Sequence, residues 1–218
     1  MSEKDFSGQV AMVTGAGSGL GQSAAVLLAQ RGARVLIADI DDAGGQATVA
    51  LCQTAGGEAL FIHTDVTIEA DVAAAVARAI SQWGSLDLAI NNAGTTGPTK
   101  PTADYTLEEW NKVVALNLNS VFLGLKYQIP PMVAQGKGAI VNTSSGAGLM
   151  GFAGLPAYVS TKHAVLGLTK AAALEYIKSG VRVNAVCPGR TRTPMLEGWM
   201  GGNPAIEAAM ANSAPIGR

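Results

Sequence analysis

Tyr158 and Lys162 stand four residues apart in AYVSTKHAVLGLTK, a stretch with helical patterning. On a helix that spacing puts both side chains on one face, one turn apart. A phenol beside an ammonium can act as a general acid and base, because the cation favours the phenolate. Two unit charges ~4 Å apart at an effective dielectric of ~20 interact by about 4 kcal/mol. An ordinary helix face carries the same pair often enough that the rest of the chain must decide.

A second group of residues points to a nucleotide. VTGAGSGLG follows a short apolar run and opens a helical pattern. Gly15, Gly19 and Gly21 leave no side chain between backbone N–H groups and an approaching pyrophosphate, and a helix N-terminus adds partial positive charge. The context between strand and helix strengthens an otherwise weak glycine pattern. Asp39 closes the second apolar run, 18 residues after Gly21. An acid there accepts hydrogen bonds from adenosine ribose hydroxyls and repels a 2′-phosphate. Asp41 and Asp42 follow it, and Ser18 leaves no basic group inside the glycine loop. NAD(H) is therefore favoured over NADP(H). The bland alternative is a tight turn with Asp39 as a strand-end cap.

Residues so far apart need elements to bring them together. Strands are expected at Val10–Thr14, Ala33–Asp39, Ala59–Asp65, Leu86–Asn92, Gly138–Ser145 and Val181–Gly189. Between them lie helix patterns at Gly19–Arg31, Ala43–Ala55, Ile68–Gln82, Thr106–Ala134 and Ala157–Ser179. This alternation predicts an α/β fold, a doubly wound parallel sheet with helices on both faces. Gly32 suits a left-handed helix end. Thr106 and Glu109 have capping-box spacing, and Pro130 and Pro131 should kink or end the fourth helix. No linker or repeat divides the chain, so residues 1–218 read as one domain.

Bulk properties exclude other classes. The net charge of −1 offers no field for nucleic acid or an anionic membrane. No apolar run reaches the ~20 residues of a membrane helix, and MSEKDFSGQV has no apolar leader. Cys52 and Cys187 lack metal-type spacing and suit reduced, mostly buried thiols, so a cytoplasmic protein is expected. His63 has no second metal ligand at useful spacing, and His163 points about 100° away from Lys162 on the helix. No metal site is expected.

Together, Thr14-Gly15-Ala16-Gly17-Ser18-Gly19-Leu20-Gly21, Tyr158 and Lys162 resemble the short-chain dehydrogenase/reductase family, in its shorter single-domain branch. The resemblance implies a Rossmann fold and cofactor contacts along the glycine loop at Gly15, Ser18, Gly19, Leu20 and Gly21. It assigns Asn91, Ala93 and Gly94 of NNAG to the sheet and the adenine side of the cofactor. Asp65 and Val66 would meet the adenine. Pro188, Gly189, Thr191 and Thr193 of PGRTRTP would cup the nicotinamide. Asn117, Ser145, Tyr158 and Lys162 match the family's catalytic set. Ser144 competes with Ser145, and the 13-residue spacing to Tyr158 favours Ser145. For Asn117 the alternative is a satisfied polar residue on a half-exposed helix. Family members usually continue past PIGR for another helix and strand, so the family's last strand is expected to be missing here. The resemblance also implies a homo-oligomer, a dimer or tetramer.

The implied reaction is hydride transfer between NAD(H) and a secondary alcohol or ketone, with Tyr158 as general acid/base. Lys162 would also hold the nicotinamide ribose, and Ser145 would donate a hydrogen bond to the substrate oxygen. Loops 95–101 and 146–155 and the stretch after Pro194 should set specificity. Leu149, Met150, Phe152, Met195, Trp199 and Met200 favour an apolar substrate, with Gly201 and Gly202 as a hinge. The alternatives are a 3-oxoacyl-type reductase, against which Asp39 argues, or a non-catalytic dinucleotide-binding sensor.

Overall fold

Val10 and Met12 belong to one buried cluster and Ala11 and Val13 to another, and all four are inaccessible to solvent. Their strand therefore has two covered faces, as expected of a near-continuous apolar run in a parallel sheet. The structure, a computed structural model, describes residues 5–200, with side chains as far as Gly198.

Six strands form the sheet: β1 (Val10–Thr14), β2 (Arg34–Asp39), β3 (Glu58–His63), β4 (Leu88–Asn91), β5 (Gly138–Thr143) and β6 (Val181–Val186). All pairs are parallel, in the order β3-β2-β1-β4-β5-β6. The predicted strands are all present, but β3, β4, β5 and β6 end one to three residues early, where the chain turns into loops above the sheet. No seventh strand is present among the described residues.

Helices α1 (Gly19–Gln30) and α2 (Asp42–Thr54) cover one face, through Ala25, Ala29 and Cys52. The other face is covered by α3 (Glu69–Trp83), α5 (Ser120–Gln135) and α6 (Pro156–Tyr176). On α3 the buried residues Val72, Ala75, Val76 and Ala79 follow the 3.6-residue period. Of the Ala164, Leu168 and Ala172 face expected to pack from the sequence of α6, Ala172 is buried and Leu168 packs on the core part-buried, while Val165 and Thr169 complete the buried stripe. A short α7 spans Pro194–Met200.

The expected single helix over 106–134 is three pieces. Thr106 caps α4 (Leu107–Val114) with the predicted capping box. A π-helical turn, Ala115–Asn119, follows, and then α5. Pro130 and Pro131 do not end α5, which runs on to Gln135 and stops at Gly136 with φ of 69°. The prolines remove two backbone donors, but Ile129 and Met132 beside them lie in the core and hold the helix in place.

From β1 the chain moves out through β2 to β3, then crosses back to β4 on the other side of β1. At such a switch point the loops above neighbouring strands diverge and leave a crevice. The ends of β1 and β4, at Thr14 and Asn91, flank it.

Candidate active site

The crevice holds a cavity of about 860 Å³, within the usual range for a cofactor or ligand site. Its floor is the glycine loop. Gly15 and Gly19 take left-handed φ values of 62° and 56°, which favour glycine. A Cβ at Gly15 would lie 2.7 Å from the Cα of Ala93, so loop and NNAG segment are in backbone contact. Thr14 Oγ1 accepts from the N–H groups of Asn92 and Ala93, at 3.0 and 3.3 Å. Asn92 Nδ2 returns a bond to the Gly15 carbonyl at 3.0 Å. Ser18, Gly19, Leu20, Ala93 and Gly94 join Gly15 in the lining.

Gly21 does not line the cavity. A Cβ there would sit 2.1 Å from the Gly15 carbonyl oxygen. Its requirement is close packing of α1 under the loop.

Asp39 lines one end. Its Oδ2 accepts from Gly17 N–H at 2.7 Å and its Oδ1 from Asp41 N–H at 2.9 Å. The glycine loop thus fixes the carboxylate, and Gly17 joins the site for a reason visible only in three dimensions. Nearby, Asp65 lines the cavity while its Oδ1 accepts from both the N–H and the hydroxyl of Thr67. Val66 and Leu116 form an apolar wall with Ala93.

At the other end, β5 and α6 bring three predicted catalytic residues to the same cavity. Ser145, just past β5, accepts from Ala147 N–H at 3.1 Å, which leaves its hydroxyl proton available to donate. Tyr158 is half-buried on the first turn of α6. Lys162 Nζ lies 5.7 Å from the centre of the Tyr158 ring. Lys162 is 4% exposed, and its ammonium donates to the Thr143 carbonyl at 2.8 Å. Burial pushes its pKa down to about 8, because desolvation penalises the charged form. Lys162 is still mostly protonated at pH 7, with further N–H donors in reserve.

Pro188, Gly189, Thr191 and Thr193 line the roof above them. The Pro188 carbonyl accepts from Gly146 N–H at 2.9 Å. A Cβ at Gly19 would lie 3.3 Å from the Thr193 methyl carbon, so the roof closes over the glycine loop.

Asn117 and Asn91 are not in the lining. Asn117, within the π turn, is wholly buried. Its amide makes a two-way bond with the backbone of Thr95: Nδ2 donates to the carbonyl and Oδ1 accepts from the N–H, both at 2.8 Å. Nδ2 also reaches Thr161 Oγ1 at 3.3 Å, and that hydroxyl donates to the Tyr158 carbonyl at 2.9 Å. Asn117 thus braces the Tyr158 turn against the loop after β4 as a satisfied polar side chain, itself buried although its helix is part-exposed. Asn91 forms a reciprocal amide pair with Gln128 and donates to Asn142. Its side chain ties β4 to β5 and α5, the sheet role the resemblance implies, and stays out of the cavity lining.

Sequence reasoning passed over Thr95, Thr143 and Thr161, which act through backbone carbonyls or buried hydroxyls. Threonines carry no spacing signal for such work. Phe152 and Met195 line the cavity as expected; Leu149 and Met150 are exposed and outside its lining. The side chains of Trp199 and Met200, and Gly201 and Gly202, lie outside the described residues. His63 pairs with Asp42 at 2.7 Å, and His163 is exposed and bonds the Val159 carbonyl. Among the described residues no cluster suits a metal, and no helix is long and apolar enough to cross a membrane. Both cysteines are unpaired; Cys52 is buried, its thiol pushed up to about 11, and Cys187 is half-buried.

Comparison with known proteins agrees with this geometry. The family model "short chain dehydrogenase" matches residues 9–202. A cyclohexanol dehydrogenase of Acinetobacter sp. (strain SE19) is 44% identical over 218 residues, covering 100% of this chain and 84% of its own. The crystal structure of levodione reductase superposes with a TM-score of 0.95 at 38% identity, over 98% of this chain and 85% of its own. An NAD+-bound xylitol dehydrogenase gives a TM-score of 0.93 at 32% identity, over 98% and 87%. With glycine loop, serine, tyrosine and lysine all lining one crevice, the chain belongs to the short-chain dehydrogenase family and is an oxidoreductase.

Proposed function

We propose that this protein is an NAD-dependent dehydrogenase of apolar, cyclic secondary alcohols, with Tyr158 as the general acid/base. One observation carries the reading: Ser145, Tyr158 and Lys162 line the same cavity as the glycine loop and Asp39. The cavity fits a dinucleotide on its own geometry. Side chains at Gly15 or Gly94 would strike Ala93 or the Asn117 amide, so glycine lets the two loops that form the cradle pack closely and present their backbone to it. A bound nicotinamide supplies the hydride acceptor or donor.

The chain's own groups do the rest. Asp39 offers its remaining lone pairs to the adenosine ribose, and its charge disfavours a 2′-phosphate. Lys162 offers its spare N–H donors to the nicotinamide ribose. Ser145 donates its hydroxyl proton to the substrate oxygen and holds it beside Tyr158. In oxidation the Tyr158 phenolate takes the alcohol proton, and in reduction the phenol returns it. The Lys162 cation stabilises the phenolate in a poorly solvated site. Support for an apolar substrate comes from Phe152, Leu155, Met195 and Leu196 in the lining and from the cyclohexanol relative. Support for NAD comes from Asp39 and from the NAD+-bound neighbour.

The test is turnover of cyclohexanol and open-chain polyols with NAD or NADP, followed as reduced-cofactor absorbance. Tyr158→Phe should lose about 10²–10⁴-fold in kcat while still binding NADH. Equal rates in the two proteins would remove Tyr158 from its role. Better use of polyols or of NADP would overturn the substrate or cofactor assignment.

A further inference from the structure

Ser144 and Ser145 are adjacent and alike, yet the structure gives them opposite surroundings. Successive side chains of an extended chain point to opposite sides. Asn142 and Ser144 are buried and Thr143 and Ser145 half-buried; Ser144 borders the cavity with Thr143 and Ser145, but its hydroxyl turns to α6. Ser144 is 3% exposed. Its N–H donates to the Val186 carbonyl at 2.8 Å, which fixes it to the end of β6. Its hydroxyl donates to the main-chain carbonyl of Lys162, also at 2.8 Å. The residue before it, Thr143, takes the ammonium of the same lysine on its own carbonyl at 2.8 Å. Two consecutive residues of β5 and its end therefore hold Lys162 at both extremities.

Gly148 closes the arrangement from the far side. It lies in a short 3-10 turn, Gly146–Gly148, directly after Ser145. A Cβ at Gly148 would stand 2.4 Å from Ser144 Oγ and 2.8 Å from the Lys162 carbonyl oxygen. The turn packs on this hydrogen bond with no room for a methyl group.

We infer that Ser144 is a positioning residue: its hydroxyl, backed by Gly148, sets the main chain of Lys162 so that the ammonium serves Tyr158 and the cofactor ribose together. This rests on the proposed dehydrogenase chemistry for its consequence, though not for its geometry. Ser144 has no part in proton transfer, because its hydroxyl proton is committed to the carbonyl. Tyr158 is the titratable group facing Lys162, and no charged side chain contributes to the shift of Lys162, which burial alone causes.

The experiment pairs two substitutions that reach the same bond from opposite sides, Ser144→Ala and Gly148→Ala. Gly167→Ala on α6 is the control, since a Cβ there meets nothing within 4 Å. The measurements are kcat against pH with a turned-over alcohol, NADH affinity by fluorescence, and a thermal melt for each protein. Both variants should lower kcat ten-fold or more, weaken NADH at least three-fold, and raise the pH of half-maximal kcat by half a unit or more. The control should stay within two-fold. A purely structural role would lower the melting temperature and leave the pH midpoint in place, which overturns the inference. So do kcat and NADH affinity within two-fold of the unsubstituted protein. If the unsubstituted protein turns over no alcohol, the dehydrogenase reading fails by itself, and NADH affinity decides on Ser144: three-fold weakening in both variants supports it and unchanged affinity refutes it. Should Ser144→Ala not fold, Ser144→Cys keeps the side chain's size with a weaker donor and takes its place under the same criteria.

Discussion

Replacing Lys162 by methionine should abolish turnover and, without cofactor, stabilise the fold near neutral pH. Lys162 is almost wholly buried, and burial moves its pKa from 10.5 to about 8. At about 1.4 kcal/mol per pKa unit, holding the charged form in place costs about 3 kcal/mol. Methionine fills nearly the same volume as the lysine stem and needs no solvation. Against this gain stands the Thr143 carbonyl, which loses its donor at about 1–3 kcal/mol. The net at pH 7 is neutral to about 2 kcal/mol in favour of the variant. The pH dependence is the sharper test. Below pH 8 folded and unfolded lysine are both protonated, so the penalty is present in full. Between pH 8 and 10.5 the folded protein releases the proton while the unfolded chain keeps it, and stability rises with pH. The wild type should therefore gain about 2.5 kcal/mol on the variant between pH 7 and 10. Groups remote from Lys162 cancel in the difference, and carrying Tyr158→Phe in both proteins removes the phenol that faces the ammonium. Urea denaturation of both cofactor-free proteins at the two pH values measures it. A difference that stays flat from pH 7 to 10 would refute the burial argument.

Two further outcomes follow from other buried groups. Gln128→Leu keeps the volume but leaves the Asn91 carbonyl oxygen without its donor at 2.8 Å; denaturation should show a loss of about 1–3 kcal/mol, with NADH affinity unchanged within two-fold. Asp87 ties the far end of the sheet together, its Oδ2 accepting from Val10 N–H and its Oδ1 2.8 Å from Lys137 Nζ. Burial opposes its ionisation, yet the Lys137 ammonium, the Val10 N–H and the Ser85 hydroxyl together hold the carboxyl below its ordinary value. The stability it adds is present above the unfolded pKa of about 3.9 and is lost as pH falls through the lower folded value. Wild type and Asp87→Asn should thus differ in unfolding free energy at pH 6 and converge under acid. A gap that is constant with pH would show that charge plays no part.

The strands and the proximity of Tyr158 and Lys162 were legible in the sequence because both are local patterns. β1 is a continuous apolar run, and Tyr158 and Lys162 are one helical turn apart whatever surrounds them. The resemblance pointed to Ser145, which lines the cavity, and to Asn117, which lies behind it. Three features stayed hidden. The π turn at Ala115–Asn119 depends on Asn117 bonding the backbone of Thr95, a partner 22 residues away. The continuation of α5 through Pro130 and Pro131 depends on core contacts that outweigh a local penalty. The role of Asn91 depends on Gln128 and Asn142 arriving beside it from two other elements. In each case a long-range partner overrides what the neighbours along the chain suggest.

Lys162 shows why such partners matter to the chemistry. The stripe that docks α6 on the sheet, Val165, Thr169 and Ala172, begins with Thr161 and Lys162. Packing the helix therefore carries the ammonium to a poorly solvated position, where a charge is unfavourable. Yet those surroundings make its field on Tyr158 strong, since less water screens it. Helix propensity gives no reason to keep a lysine there, and stability gives a reason to remove it. The carbonyl of Thr143 and the hydroxyl of Ser144 recover part of the cost by fixing its two ends. Under the proposed chemistry, a residue disfavoured by folding and still braced from two sides is accounted for by what it does for Tyr158 and the cofactor ribose. A stability-selected library of the cofactor-free chain should accordingly replace Lys162 early, and a library selected for turnover should retain it.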